Sequence, residues 1–324
     1  MARYLVTGAA GFIASRITEM LLQAGHTVVG IDNMNNAYDV RMKEYRLKRL
    51  LGHPQFIFQK RDVAVREEIR SLEAIGPFSA IINLAARAGV RQAVENPWVY
   101  VDTNLTGTLN LLDLCRQLQI PKFILASTSS IYGANAPLPT PETADSDHPL
   151  QPYAASKKGA EAMCYAYHHL HGIDVTIFRY FTVYGPAGRP DMVMFRFTKW
   201  ITESQTVKLN GDGEQTRGFT YVDDIARGTI LGLKPLGYEI INLGGHETIS
   251  INNLIHMLEG MIGRKAQVEH YPFNPADMLA NRADVRKAGE LLGWESQYSL
   301  QSGVQHLVDW YRSERSWAQY IETN

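Results

Sequence analysis

The sequence predicts an α/β chain in which a doubly wound parallel sheet is followed by a smaller α/β C-terminal domain. Three observations carry this. Apolar strand-like runs alternate with helix-period stretches as far as residue 180, the first run enters a helix through a glycine turn, and after Pro186 the regularity gives way to a region richer in Gly, Pro, Asn and Arg. Strands separated by helices are joined in parallel, with helices covering both faces of the sheet.

The elements follow in order. Residues 3–7 form a short apolar strand, Gly8-Ala-Ala-Gly11 turns the chain, and an amphipathic stretch runs through Leu22. A second apolar strand, 26–31, ends in Asp32, and further strands fall at 55–59, 80–84, 122–127 and 175–180. The helices between them include 96–118 and 153–171. Residues 219–233 read as a strand end and a helix, and 239–243 as another strand, so the chain returns to the first domain before it finishes in the second. The expected division is therefore 1–183 with a return segment at about 219–247, against 184–218 with 248–324.

Composition narrows the class. With 324 residues, 45% of them hydrophobic, the chain buries a large core. Its 32 basic and 33 acidic residues give no sign of a nucleic-acid or membrane-surface partner. Cys115 and Cys164 show no metal-ligand spacing and read as core residues in a reducing compartment. The chain begins directly with a core strand and has no apolar run approaching a membrane span, which reads as a cytoplasmic protein.

Two groups of residues point to chemistry. In the first turn Gly8 permits the sharp bend, Gly11 lets a pyrophosphate approach the helix N-terminus, and small Ala14 permits close helix-on-strand packing. The glycine spacing is two residues rather than one, and a tight turn without a ligand would read the same way. Asp32, about twenty residues further on, would accept hydrogen bonds from the adenosine ribose and repel a 2′-phosphate, which favours NAD over NADP. Tyr153 and Lys157 stand one helical turn apart and leave the same face. An ammonium beside a phenol favours the phenolate, making the pair a proton-transfer device, although the same spacing also covers ordinary helix surface.

Six stretches in order, Thr7-Gly-Ala-Ala-Gly-Phe-Ile, Leu84-Ala-Ala, Ser127-Thr-Ser-Ser-Ile-Tyr-Gly133, Tyr153-Ala-Ala-Ser-Lys157, Arg179-Tyr-Phe-Thr-Val-Tyr-Gly-Pro186 and Phe219-Thr-Tyr-Val-Asp-Asp224, resemble the extended short-chain dehydrogenases/reductases that act on nucleotide sugars. The resemblance covers nearly the whole chain and implies a Rossmann-type fold. Thr182 and the Gly188-Arg-Pro-Asp-Met192 stretch make it most similar to the UDP-glucuronate 4-epimerases. It implies an NAD-dependent isomerase that oxidises C4 of a UDP-sugar to a ketone and reduces it on the other face. Tyr153 would take and return the C4 hydroxyl proton, Lys157 would lower the phenol pKa and hold the nicotinamide ribose, and Thr128 would hydrogen-bond the C4 oxygen. A Thr at a strand end is also satisfied by backbone alone.

The resemblance further implies cofactor contacts from Gly8, Gly11, Phe12 and Ile13, from Asp32 with Asn33, and from Asp62 with Val63 at the adenine. Asp62 could equally cap the following helix. Leu84, Ala85, Ala86, Asn104, Ser127, Tyr180 and Val183 complete the expected NAD site, with Asn104 positioning the lysine. On the substrate side it implies Ser129, Ser130, Thr182, Met192 and Arg189 around the sugar, Arg217 at the diphosphate, Phe195 at the uracil, and Arg91 and Arg282 as further candidates. Phe195 also fits a core position, and either of Arg91 and Arg282 a solvated surface. Gly218 departs from the family's Asp, and Asn83 from its His.

Ser129 and Ser130 separate this reading from the related dehydratases and decarboxylases, which place acidic residues in this stretch. Two serines orient a group but supply no acid at neutral pH. A 4-keto uronate is a β-keto acid, so an epimerase must hold the carboxylate away from alignment with the carbonyl; Arg189 is expected to help suppress that decarboxylation. A neutral UDP-hexose epimerase such as a UDP-glucose/galactose enzyme is the alternative, with a UDP-glucuronate decarboxylase or a non-catalytic nucleotide-binding regulator behind it. The resemblance also implies a homodimer through the helices that begin near Asn96 and Tyr153, where Ala154, Ala160, Ala162 and Tyr165 would allow close packing.

Overall fold

The computed structural model describes residues 1–272 and 280–323. Among them, thirteen strands form three sheets: β1 Arg3–Thr7, β2 Thr27–Asp32, β3 Phe56–Lys60, β4 Ala80–Asn83, β5 Lys122–Thr128, β6 Asp174–Tyr180, β7 Thr182–Tyr184, β8 Thr206–Asn210, β9 Thr216–Tyr221, β10 Tyr238–Leu243, β11 Glu247–Ser250, β12 Gln267–Tyr271 and β13 Ala280–Asn281. The large sheet has the order β10-β6-β5-β4-β1-β2-β3, every neighbouring pair parallel. Strand order reverses between β1 and β4, and a crevice at the carboxyl ends of the strands opens at such a point.

Both faces of this sheet are covered, which is why its central strands are continuously apolar. Ile17, Leu21, Leu47, Ile225 and Leu292 cover one face, and Leu72, Leu111, Leu114, Ala160 and Cys164 the other. A third cluster, built around Phe195, Phe219, Leu254, Val304 and Tyr311, forms the core of the second region. There β9 pairs with β7, β11 and β13, and β8 pairs with β12.

The expected boundaries move by a few residues. β10 does rejoin the large sheet beside β6, but residues 219–221 belong to β9 in the second sheet, and the return begins with the helix Val222–Leu231. Residues 182 and 183, placed by the sequence in the first domain, lie in β7 and pair with β9. The helix expected at 96–118 is not uniform: a short turn at Trp98–Tyr100 passes into a π-helical segment Val101–Thr106 before a regular helix, Gly107–Gln117. A π segment adds a residue to a turn and is frequent at functional sites; here it carries Asn104.

Beneath the ends of β5 and β6 lies a buried ion pair. Arg179 donates from Nε to Glu161 Oε1 at 3.1 Å and from Nη2 to Oε2 at 2.7 Å, and both side chains are 3% exposed. Ser127 Oγ donates to the same carboxylate at 2.5 Å. Removing one partner leaves an uncompensated buried charge, so Arg179→Met should cost about 3–5 kcal/mol of unfolding free energy. Urea denaturation of that variant, and of Arg179→Met with Glu161→Leu, checks this: the double variant should recover most of the loss.

Candidate active site

The glycine turn is a close fit to its surroundings. Gly8 has φ +69°, and a Cβ there would lie 2.9 Å from the backbone nitrogen of Ala85; at Gly11 it would lie 2.8 Å from the carbonyl oxygen of Gly8. Gly11 is the N-cap of the helix Phe12–Gln23 and offers no side-chain acceptor, so the first N–H groups of that helix face the turn. Such a helix end favours an anion. Ala14 is 2% exposed against the sheet. Phe12 and Ile13 pack into the core behind the turn.

Asp32, 6% exposed at the end of β2, faces this turn and accepts from the backbone N–H of Ala10 at 3.3 Å and of Met34 at 2.8 Å. Beside it, Asn33 Nδ2 donates to Asp62 Oδ2 at 2.8 Å, while Asp62 Oδ1 accepts from the N–H of Ala64 at 2.9 Å. Asp62 thus closes a local turn; the N-cap of the helix Arg66–Arg70 is Val65, without a side-chain cap. The side chains of Val63 and Tyr180, expected among the cofactor contacts, are turned into the core: Val63 is 5% exposed, and the Tyr180 hydroxyl lies 2.7 Å from Thr229 Oγ1. Ser127 likewise turns inward to Glu161. Leu84 and Val183 are partly buried and pack on the cluster under β1.

The groups expected to react meet at the ends of β5 and of the helix Pro152–His171. Pro152 opens that helix and Gln151 Oε1 caps it, accepting from the N–H of Ala154 at 3.3 Å, which sets Tyr153 in its first turn. Burial pushes the Tyr153 phenol above its ordinary value, and the Thr128 hydroxyl and the Arg189 guanidinium pull it back. Thr128 also caps the following turn: its Oγ1 accepts from the N–H of Ser130 at 3.2 Å, which is the local backbone reading of this hydroxyl. Ser129 is 8% exposed, and Ser130 Oγ accepts from Thr128 Oγ1 at 3.2 Å.

Lys157 reaches back to the sheet. Its side chain is 2% exposed and Nζ donates to the carbonyl oxygen of Ala126 at 2.9 Å, back along β5. The Arg189 guanidinium contributes a charge that favours the phenolate. Arg189 makes a two-point pair with Asp191, Nε to Oδ1 at 3.0 Å and Nη2 to Oδ2 at 2.5 Å. Asn104 does not touch the lysine: its amide clamps Arg87, accepting from the N–H at 2.9 Å and donating to the carbonyl oxygen at 3.0 Å, and donates to Ser156 Oγ at 2.9 Å. This ties the loop after β4, with Ala85 and Ala86, to the first turn of the Tyr153 helix.

The other substrate candidates divide. Thr182 is half-buried in β7 and Met192 caps the helix Val193–Thr202. Phe195 is corrected: at 1% exposure, its ring packed on Trp310 and Tyr311, it is a core side chain and offers no face to a uracil. Arg217 is partly buried on β9, opposite Asn281 of β13, while Arg282 is exposed one residue beyond. The side chain of Arg91 lies outside the described residues. Gly218 is explained: a Cβ there would lie 2.2 Å from the carbonyl oxygen of Gly245, and the Gly218 N–H donates to Asn281 Oδ1 at 2.8 Å.

Sequence reasoning missed three residues and attached no role to a fourth, Asn83. Arg87 stands beside the Tyr100 phenol, whose ring meets Tyr153 edge-on at 6.1 Å, so two guanidinium groups converge near the reacting phenol. Asn83, 1% exposed, accepts from Thr7 Oγ1 at 2.7 Å and donates to Thr108 Oγ1 at 3.1 Å, joining the end of β1 to the helix Gly107–Gln117. Lys43 and Arg46 lie on the buried side of the helix Arg41–Leu51, and Lys43 Nζ reaches Asp32 Oδ1 at 3.2 Å. The signal was present, since both cations share the apolar stripe of Met42, Leu47 and Leu50.

A model of the NAD dependent epimerase/dehydratase family matches residues 4–244. The chain is 54% identical over 311 residues to a UDP-glucuronate 4-epimerase of Thermodesulfobacterium geofontis, covering 96% of each. Among solved structures it is similar to a UDP-glucuronic acid 4-epimerase from Bacillus cereus in complex with UDP-glucuronic acid and NAD, with TM-score 0.90 and 35% identity over 96% of this chain and 99% of that one. A UDP-glucose 4-epimerase from Thermotoga maritima with UDP-glucose gives TM-score 0.90 at 30% identity, over 97% and 99%.

Burial pushes the Lys157 ammonium down from 10.5 to about 8, the neighbouring Glu161 opposing it. Between those values the unfolded chain holds a proton that the folded one has released, so the Lys157 contribution to stability rises with pH across the window and is lowest below it. The unfolding free energy of the wild type minus that of Lys157→Met should therefore grow by about 3 kcal/mol from pH 8 to 10.5. Denaturant titrations at pH 7.5, 9 and 10.5 check it; a constant difference would contradict the shift.

Proposed function

The chain belongs to the NAD dependent epimerase/dehydratase family, and we propose that it interconverts UDP-glucuronate and UDP-galacturonate through a transient 4-keto sugar. The observation that carries this reading is the convergence of the Thr128 hydroxyl and the Arg189 guanidinium on the Tyr153 phenol, with hydroxyls rather than carboxylates at 129 and 130.

NAD fits the residues present. Gly8 and Gly11 leave the backbone bare where side chains would collide, the uncapped helix N-terminus suits the pyrophosphate, and Asp32 suits the ribose hydroxyls and disfavours a 2′-phosphate. When bound, NAD supplies the acceptor and then the donor of the C4 hydride. Tyr153 takes the C4 hydroxyl proton and returns it, and Thr128 holds the C4 oxygen. Lys157, anchored on Ala126, holds the nicotinamide ribose in this reading. Ser129, Ser130 and Thr182 hold the sugar carboxylate, and the two-point pair with Asp191 fixes Arg189 so that its charge restrains that carboxylate against decarboxylation. Arg217 binds the diphosphate, which keeps the nucleotide while the sugar turns.

Proton NMR of the enzyme with UDP-glucuronate tests the assignment. UDP-galacturonate should appear without net NADH, and Arg189→Ala should release some UDP-pentose. UDP-pentose from the wild type would make it a decarboxylase, and turnover of UDP-glucose alone would make it a neutral-sugar epimerase.

We also infer a homodimer. Ala154 and Ala160 are used up inside the chain, but Ala162, Tyr165 (55% exposed), Trp98 (75%) and Val101 (39%) stand outward on the two neighbouring helical segments. Sedimentation should give a dimer for the wild type and a monomer for Trp98→Glu. Among the described residues no helix is long and apolar enough to cross a membrane, and both cysteines are buried free thiols; we place the enzyme in the cytoplasm on these grounds.

A further inference from the structure

Arg46 is 3% exposed and has no carboxylate within ion-pair distance among the described residues. A buried guanidinium is tolerated only when its donors are satisfied. Four of its five N–H groups are: Nε donates to the carbonyl oxygen of Ala187 at 2.9 Å, Nη2 to that of Gly188 at 3.1 Å, and Nη1 to that of Ala10 at 3.3 Å and to the Tyr38 hydroxyl at 2.7 Å. Its plane lies over the rings of Phe12, at 5.8 Å, and Tyr38, at 5.5 Å.

The two sets of carbonyls belong to two different functional turns. Ala10 sits between Gly8 and Gly11 in the turn that faces the helix N-terminus. Ala187 and Gly188 immediately precede Arg189, and Ala187 holds φ +53°, a conformation that a residue with a Cβ keeps only when its surroundings impose it. One rigid fork therefore grips the anion-binding turn with one arm and the strained entrance to the Arg189 loop with the other. Its charge, with no counter-ion among the described residues, favours an anion on the first turn.

We propose that Arg46 is a positioning residue that couples the dinucleotide turn to the loop carrying Arg189 and Asp191. Occupation of the turn by a dinucleotide pyrophosphate then steadies the loop in the place where Arg189 acts on Tyr153. The inference deepens the proposed function and rests on it only for the role of Arg189; the coupling itself needs no particular sugar.

Hydrogen exchange of the full-length protein, with and without saturating NAD, tests the coupling. In the wild type NAD should slow exchange by about tenfold both at residues 8–14 and at 185–192. In Arg46→Met it should protect 8–14 and leave 185–192 unchanged, and Arg46→Lys, which keeps the charge and loses the fork, should behave likewise. Arg49→Ala, at an exposed position of the same helix, should match the wild type. A merely structural role would instead raise exchange in both segments with the NAD effect retained. Equal NAD protection of both segments in either Arg46 variant, or no effect of NAD on 185–192 in the wild type, overturns the proposal. If Arg46→Met fails to fold, Arg46→Lys decides alone. Turnover of UDP-glucose instead of UDP-glucuronate would displace the functional reading while leaving this result intact.

Discussion

Two charges taken out of water hold their place only while both remain, and the pair between Glu161 and Arg179 ties the helix Pro152–His171 to β6 in that way. The same carboxylate receives Ser127, the residue before Thr128, so strand end and helix are registered against one another by a single group. Arg179 also lies 4.9 Å over the Tyr132 ring, and the Tyr132 hydroxyl donates to Asn242 of β10 at 2.6 Å. Three neighbouring strands and one helix therefore share one polar knot under the reacting groups. Tyr153 and Thr128, brought from different elements, are in reach of each other above this knot.

Above the knot, the division of labour among the cations follows from where each is anchored. Lys157 spends its proton on the Ala126 carbonyl and is destabilised as a charge by its burial. Arg189 keeps its charge beside Asp191 and projects its field onto the phenol from the opposite wall. A lysine in the helix and an arginine in a loop are thus held differently: one is bonded to the sheet, the other to Asp191 within its own loop. Arg46 and the strained Ala187 show what holds it.

The parts legible in the sequence were those set by backbone geometry or by local spacing. Gly8, Gly11 and Asp32 follow one another along a strand, turn and strand, and Tyr153 and Lys157 are a helical turn apart, so their proximity needs no knowledge of the rest of the fold. The less legible parts depend on partners far along the chain. Arg179 is eighteen residues from Glu161, and Arg46 is 141 from Ala187. Asn83 carried no spacing signal because its two partners lie on β1 and on the Gly107–Gln117 helix. Phe195 was ambiguous for the opposite reason: an aromatic at helical spacing serves core and ligand alike until Trp310 and Tyr311 are seen against it.

Gly218 and Gly245 approach until a single added carbon would overlap the carbonyl oxygen opposite. The Asp that the resemblance places at 218 therefore cannot simply be restored here, because the backbone at 245 would have to withdraw first. Gly245 has φ +75° and itself faces the Phe181 ring, where a Cβ would come within 2.5 Å of the Phe181 side chain. A side chain at 218 therefore requires the carbonyl of 245 to move, and one at 245 requires the Phe181 ring to move, so the three positions constrain one another.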